Sequence, residues 1–221
     1  MRRSKDSIVN PVLRMLLAAF AILLLTACTI TSERSLTSGD EAATPLPDAF
    51  TLFPYQQSAN GYIPEAISPM QFVREGSDYV GTDIQESSEP LRVRFVRLND
   101  DLFLLAAMVS DSPAVTYGFA RYNDGVLSIA LSPDASTALA LRRLRHRMMP
   151  KERLPLAGVT VAPGTDAITV RSRAALNDLG RLYAAGRLPL APPAVGYVSL
   201  DSSAPPPSRL VPSAGDWIEV Q

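Results

Sequence analysis

The sequence predicts an α+β domain: an antiparallel β-meander of six to eight strands, able to curl toward a barrel, with two helices late in the chain. Three observations carry this reading. Strand-like runs follow one another from Leu91 to Leu131 with only turn residues between them. Asn123-Asp124-Gly125 separates two of those runs, and Asp-Gly supplies the positive φ that a tight hairpin turn needs. From Ser132 onward the apolar residues fall on helical arcs instead of alternating.

Each element has its own signal. Met70 to Arg74 and Tyr79 to Gly81 are short strand patterns. Leu91-Arg92-Val93-Arg94-Phe95 alternates apolar and charged residues, as a strand with one wet face does. After the turn residues Asn99-Asp100-Asp101, Leu102 to Val109 is continuously apolar, which marks a strand buried on both faces. Val115 to Tyr122 and Val126 to Leu131 complete the meander. Gly118 and Gly158 stand singly in or beside strand patterns, where a bulge or close packing explains them. Ser132-Pro133 fits an N-cap with proline at the first helical position, and this helix is expected to reach Met149, before Pro150. Val159–Val161 and Ala167–Val170 are short strands around Pro163-Gly164. Ser172 caps a second helix in which Ala175, Leu176, Leu179, Leu182 and Tyr183 fall within about 120° of arc. Arg173, Asn177 and Arg181 lie outside that arc, and Gly186 is the natural stop. Val195 to Leu200 is the last expected strand.

The N-terminus belongs to a different kind of segment. Arg2, Arg3, Lys5 and Arg14 form a basic head interrupted by Asp6, followed by the uncharged run Met15–Leu25 of eleven residues. A membrane span needs about 20 apolar residues, so this run is too short to remain in a bilayer. It ends on Leu25-Thr26-Ala27-Cys28, and Cys28 is the sole cysteine. This order resembles the leader and lipobox of bacterial lipoproteins. The resemblance implies cleavage after Ala27, a diacylglycerol on the Cys28 thiol and an acylated new amino group. The membrane would then be the first partner, held through that lipid. In Gram-negative members, Asp after the cysteine retains the protein on the inner membrane. Thr29 stands there instead, which implies the outer membrane on its periplasmic side, with the inner membrane and the cell surface as alternatives.

These boundaries divide the chain into a leader (1–27), a lipidated terminus and flexible tether (28–50), a β-rich domain (51–200) and a Pro-rich tail (201–221). Thr29 to Asp48 is rich in Ser, Thr, Glu, Asp and Ala; fully extended it would reach about 60–70 Å. The tail holds Pro205-Pro206-Pro207 and is expected to be extended, with Trp217 and Ile218 able to dock back. Without residues 1–27 the chain has 17 basic and 21 acidic residues, a net charge of −4. A nucleic-acid binder shows a basic excess, so that partner class is disfavoured. No thiol remains after processing to form a disulfide.

The residue inventory offers little chemistry. His146 is the only histidine, so any Ser-His pair must use it, yet it stands among Arg142, Arg143, Arg145 and Arg147 with no nearby acid to orient it. A metal would have to be held by carboxylates, and neither Asp100-Asp101 nor Asp83 with Glu86 has the spacing of a calcium loop. There is no Gly-x-Ser-x-Gly elbow and no phosphate-cradling glycine loop, and no cofactor is implied. Glu65, Glu75 and Glu86 are possible members of a catalytic carboxylate pair, indistinguishable from surface acids.

Along the first expected helix, Thr137, Leu141, Leu144 and Met148 form a narrow apolar stripe. The four arginines occupy the remaining surface, where they either meet anionic lipid, lipopolysaccharide or an acidic protein, or are solvated and complement the helix C-terminus.

Residues 70–200 resemble, in general character, small β-rich envelope lipoproteins of proteobacteria with no assigned activity. The Gly-x-Trp signature of lipocalins is missing, since the only tryptophan is Trp217. Three functional expectations follow. The first is an anchored binding or scaffold protein with an unidentified partner. The others are a carboxylate-dependent hydrolase of cell-wall material, and a barrel carrier whose open interior would be lined by Phe103, Leu105 or Met108.

Overall fold

In the structure, a computed structural model, residues 29–66, 68–83, 90–109, 112–131, 133, 141, 157–161, 167–212 and 218–220 are described. The architecture is a closed antiparallel barrel with extra strands, and this overturns the α+β expectation. Among the described residues there are fifteen strands, one α-helix (α1, Arg173–Ala184) and one short 3-10 turn (Gly39–Glu41). The expected helix from Ser132 to Met149 lies outside the described residues, apart from Pro133, which is buried and not helical, and Leu141, which is helical and buried in the core.

Eight strands close the barrel. β5 (Met70–Glu75), β6 (Asp78–Asp83), β7 (Leu91–Arg97), β8 (Phe103–Val109), β9 (Val115–Asn123) and β10 (Val126–Ala130) form the meander predicted from alternation and turns. The β9–β10 turn has Asp124 at φ 47° and Gly125 at φ 80°, the double positive φ of a tight hairpin. Closure comes from β3 (Ala49–Ser58), which pairs with β5 on one side and with β13 (Ala194–Ser199) on the other, while β13 pairs with β10. Alternation does not reveal β3, because both its faces are covered: Phe50 and Leu52 point into the barrel, Phe53 and Tyr55 outward. Pro54 also argues against a central strand. It falls where β3 changes neighbour, from β5 at Leu52 to β4 (Gly61–Pro64) at Tyr55.

Three packed clusters follow from the period of two. The barrel interior holds Phe50, Phe72, Tyr79, Phe95, Phe103, Leu105 and Leu127. Their rings run as a continuous chain: Phe50 stacks on Phe72 at 5.1 Å, Tyr79 meets Phe50 and Phe95 edge-on, and Phe95 meets Phe103 at 6.4 Å. Such pairs contribute about 0.5–1.5 kcal/mol each beyond their burial. The second cluster covers the outer face of β7–β9. There Leu104, Tyr117 and Phe119 meet Leu176 and Leu179 of α1, and Tyr183 stacks on Phe119 at 4.8 Å. Ser172 Oγ accepts from Ala175 N at 3.2 Å, the expected cap. The third cluster lies outside β3, β10 and β13, where Tyr55, Val126 and Val195 pack on Leu210 and Ile218.

Both ends of the chain depart from expectation. The presumed tether is sheet from its start. β1 (Ile30–Ser32) pairs with β9 and, in parallel, with β12 (Ile168–Val170), which carries β11 (Val159–Val161) at its other edge. β2 (Ala42–Ala43) pairs with β7. Ile30 is fully buried, and Leu46 is tied through both its backbone groups to the Tyr79 hydroxyl. Arg94 grips Asp78 through two bonds of 2.6 and 3.0 Å and donates to the Thr37 carbonyl, clamping this segment down. The Pro-rich tail likewise returns as β14 (Leu210–Pro212) and β15 (Ile218–Val220), a hairpin against β4, with Leu210 fully buried. Polar composition hides these segments, since each buries only one or two apolar residues. Gly118 marks the fork where β1 and β10 share β9. A Cβ there would come 2.6 Å from a Leu131 methyl and 2.9 Å from the Ala130 carbonyl.

Candidate functional site

The barrel bore is occupied by its own side chains. Phe103 and Leu105 point into it as anticipated, but they are buried against Phe95 and its neighbours. Met108 points the other way, toward the α1 cluster. An eight-stranded barrel is compatible with either a carrier or a scaffold. Among the described residues, two clefts lie outside it.

One cleft lies between α1 and the β7–β8 hairpin, with a volume of about 290 Å³. Three helix residues a turn apart, Arg173, Asn177 and Arg181, form one wall, because positions i, i+4 and i+8 share a face. These are the three residues that the helical pattern placed outside the apolar arc. Arg97, Leu98, Asn99 and Leu102 of the hairpin form the facing wall. Asn99 Oδ1 accepts from the amides of Asp101 and Leu102, which shapes the turn. Arg97 lies over the Phe103 ring, 5.0 Å from its centroid, and donates to the Asp100 carbonyl. Gly180 sits between the walls. A Cβ there would approach Leu98 Cδ1 to 2.6 Å, so any larger residue would require the Leu98 side chain to shift.

The lining carries three guanidiniums and no carboxylate. Its counter-charges stand behind it. Glu41 Oε2 is 3.4 Å from Arg173 Nε, and Asp178 Oδ1 is 3.2 Å from Arg181 Nη1. Burial raises the Asp178 carboxyl above its ordinary range, opposed by Arg181. Two atoms of this wall are buried with no hydrogen-bond partner: Arg173 Nη1, a donor, and Asn177 Oδ1, an acceptor. Leaving such a group unsatisfied costs about 1–3 kcal/mol, more when it is charged.

A second cleft, about 460 Å³, is lined by Ser35, Arg92, Met108, Ser112 and Val115. Its single cation, Arg92, donates to Glu75 at 3.0 Å, as the arginines of the first cleft are engaged by Glu41, Asp178 and the Asp100 carbonyl.

The residues singled out in the sequence stand apart from these clefts. Cys28, Arg142, Arg143, Arg145, Arg147, His146 and Glu86 lie outside the described residues. Glu75 is taken up by Arg92, and Glu65 sits beyond β4 with its amide donating to the Pro54 carbonyl. Asp101 lies 3.7 Å from Arg121. Among the described residues, no three His, Cys, Asp or Glu side chains are grouped to hold a metal ion, and no helix is long and apolar enough to cross a membrane. Sequence reasoning did not single out the cleft, because its two walls are some 75 residues apart in the chain. The one signal was the polar stripe of α1. No family model, curated protein or solved structure matches this chain.

Proposed function

We propose that this protein is a lipid-anchored binding protein of the bacterial envelope, held to the outer membrane through Cys28 and recognising its partner on the outside of a rigid barrel. The observation that carries the binding reading is the contrast between a bore filled by stacked aromatic rings and an outer cleft walled by Arg97, Arg173, Asn177 and Arg181. The anchor rests on the leader and Leu25-Thr26-Ala27-Cys28. With two or three acyl chains at about 0.8 kcal/mol per buried CH₂, attachment would be firm. The Thr29 carbonyl accepts from Ile168 N at 3.0 Å, so an anchor on Cys28 would seat the barrel against the bilayer with no long tether between.

The partner we infer is an anionic lipid or lipopolysaccharide surface. Arg142, Arg143, Arg145 and Arg147 concentrate positive charge in a chain that is otherwise acidic. Near such a surface each basic residue contributes about 1 kcal/mol.

The anchor is tested by Cys28→Ser: the expected product is an uncleaved precursor without incorporated labelled palmitate, and normal cleavage or labelling of this variant would overturn it. The binding surface is tested by photo-crosslinkers in cells. One placed at Arg181 should capture a partner that one placed at Ile63, on the far side of the barrel, does not. Equal capture from both positions would overturn the assignment to this face.

A further inference from the structure

We infer that the outer face of β3, β4, β10 and β13 is a receptor for an extended, proline-rich peptide carrying a leucine, and that the chain's own segment 205–212 holds it closed. This surface lies apart from the α1 cluster. It is on the Tyr62 face of β4, opposite Ile63. The inference rests neither on the anchor nor on the binding reading of the α1 face.

The seating of the tail shows what this face accepts. Asp201 turns the chain out of β13 by accepting from Ser203 N at 2.8 Å and from Ser203 Oγ at 2.6 Å. The segment that follows is exposed or half-buried until Leu210, and Pro205-Pro206-Pro207 keeps it extended. Barrel and tail then meet through backbone carbonyls. The Tyr55 hydroxyl donates to the Pro207 carbonyl, and the Arg209 guanidinium donates to the Asn60 carbonyl through Nε, at 2.8 Å, and through Nη2. Leu210 enters fully buried among Tyr55, Tyr62, Val126 and Val195, with Ile218 in the same cluster. Gly61, at φ 125°, has no Cβ to collide with the Leu210 carbonyl, so the β4 edge can take a strand this closely.

The attachment is narrow. β14 meets β4 at the single register pair Leu210–Tyr62, whereas β3 and β4 share four pairs and β7 and β8 share seven. A strand laid on a sheet edge with one side chain in a pocket is the arrangement of strand-addition recognition, in which main chain gives affinity and the pocket gives specificity. The occupant is defined by the same contacts: a carbonyl at a proline for Tyr55, a leucine three residues later for the pocket, and extended backbone for the β4 edge. The tail is a tethered ligand, and a short tether gives an effective concentration on the order of millimolar. A free peptide making only these contacts therefore competes poorly, while a partner adding contacts of its own displaces the tail. The tail is in this sense an autoinhibitory contact.

The experiment uses the full chain purified in detergent, with a fluorescein-labelled peptide of residues 205–212, Pro205-Pro206-Pro207-Ser208-Arg209-Leu210-Val211-Pro212, followed by fluorescence anisotropy. The unaltered chain should bind this peptide weakly, because its own tail fills the groove. Leu210→Asp in the chain expels the tail, since the pocket cannot take an unpaired charge, and should raise affinity for the peptide at least about tenfold. Arg209→Ala in the chain removes only a surface attachment of the tail and should raise it by a smaller factor. Adding Tyr55→Phe to the Leu210→Asp chain should weaken the peptide again, through the lost bond to the Pro207 carbonyl. A peptide itself carrying Leu210→Asp should bind none of these chains. The inference falls if the Leu210→Asp chain melts cooperatively yet binds the peptide no better than the unaltered chain, or if the altered peptide binds as well as the original. It falls equally if the Leu210→Asp chain has no cooperative melt, because the tail is then part of the barrel's core and not a ligand upon it.

Discussion

The barrel bore and the α1 cleft are two solutions to the same problem, filling the space beside a curved sheet. In the bore, five rings from five different strands form one chain of contacts, and the Tyr79 hydroxyl is bonded to both backbone groups of Leu46. In the cleft, a donor and an acceptor are buried and left unpaired. The first arrangement maximises stability. The second gives up stability at one place, which natural sequences tolerate chiefly at functional sites. The bore is thus the packed region, and the described clefts lie outside it.

The largest effect should come from breaking the seam between the two regions. Leu179 is fully buried between α1 and β9, and Leu179→Asp would bury an unpaired charge. The variant should fail to show a cooperative thermal transition; a sharp transition at the native temperature would mean that this helix is dispensable to the fold. Next is the bore itself. Phe95→Ala removes the ring that links Tyr79 to Phe103 and should cost about 3–5 kcal/mol in denaturant unfolding. A loss below about 1 kcal/mol would mean that the bore is loosely packed and open to a guest, reviving a carrier.

The tail gives an intermediate effect. Ending the chain before Leu210 uncovers Tyr55, Tyr62 and Val126, and removes the Tyr55 hydroxyl's neighbourhood around Pro207 only in part. Burial of Leu210 and Ile218 is worth about 1.5–3 kcal/mol each, so the truncated protein should melt several degrees lower. An unchanged melting temperature would show that the β14–β15 hairpin merely rests on the barrel.

Alkaline pH probes the buried hydroxyls. Burial raises the Tyr55 phenol to about 12, with Tyr197 adding to the shift, and it raises Tyr62, Tyr79, Tyr117 and Tyr122 as well. A phenol whose folded value is raised holds its proton longer in the folded state. Its stabilising effect is present below the ordinary value of about 10 and lost as pH climbs from there through 12. Melting temperature should fall steeply over that window, and Tyr55→Phe should flatten part of the fall.

The smallest expected effect is the most informative for the comparison. Asn177→Leu deletes the unsatisfied acceptor, so stability should change by less than about 1 kcal/mol or rise. A loss of 2 kcal/mol or more would mean that Asn177 is structural.

Much of the meander was legible because its signals are local. Alternation from Leu91 to Phe95, the Asp124-Gly125 turn and the Ser172 cap act within a few residues, and each element appears where its signal lies. β3 was hidden by Pro54 and by apolar residues on both faces. β1, β2, β14 and β15 were hidden because two or three residues are too few to show a period, and the segments around them are polar or Pro-rich. The cleft followed the same rule. Its helical wall was visible as Arg173, Asn177 and Arg181, while the hairpin wall read only as a turn.

What the sequence determined by itself is therefore short-range: a basic head and apolar run ending at a lone cysteine, the strand-turn-strand run, the capped helix and the acidic excess of residues 28–221. These depend on neighbours in the chain, whose chemistry can be read directly. Tertiary structure alone decided that β3 and β13 close the sheet, that segments near both ends add strands outside the barrel, and that Arg97 and Asn177 line one cleft. Those outcomes depend on which distant surfaces bury each other, and a period of two or 3.6 residues says which face is apolar without saying what will cover it.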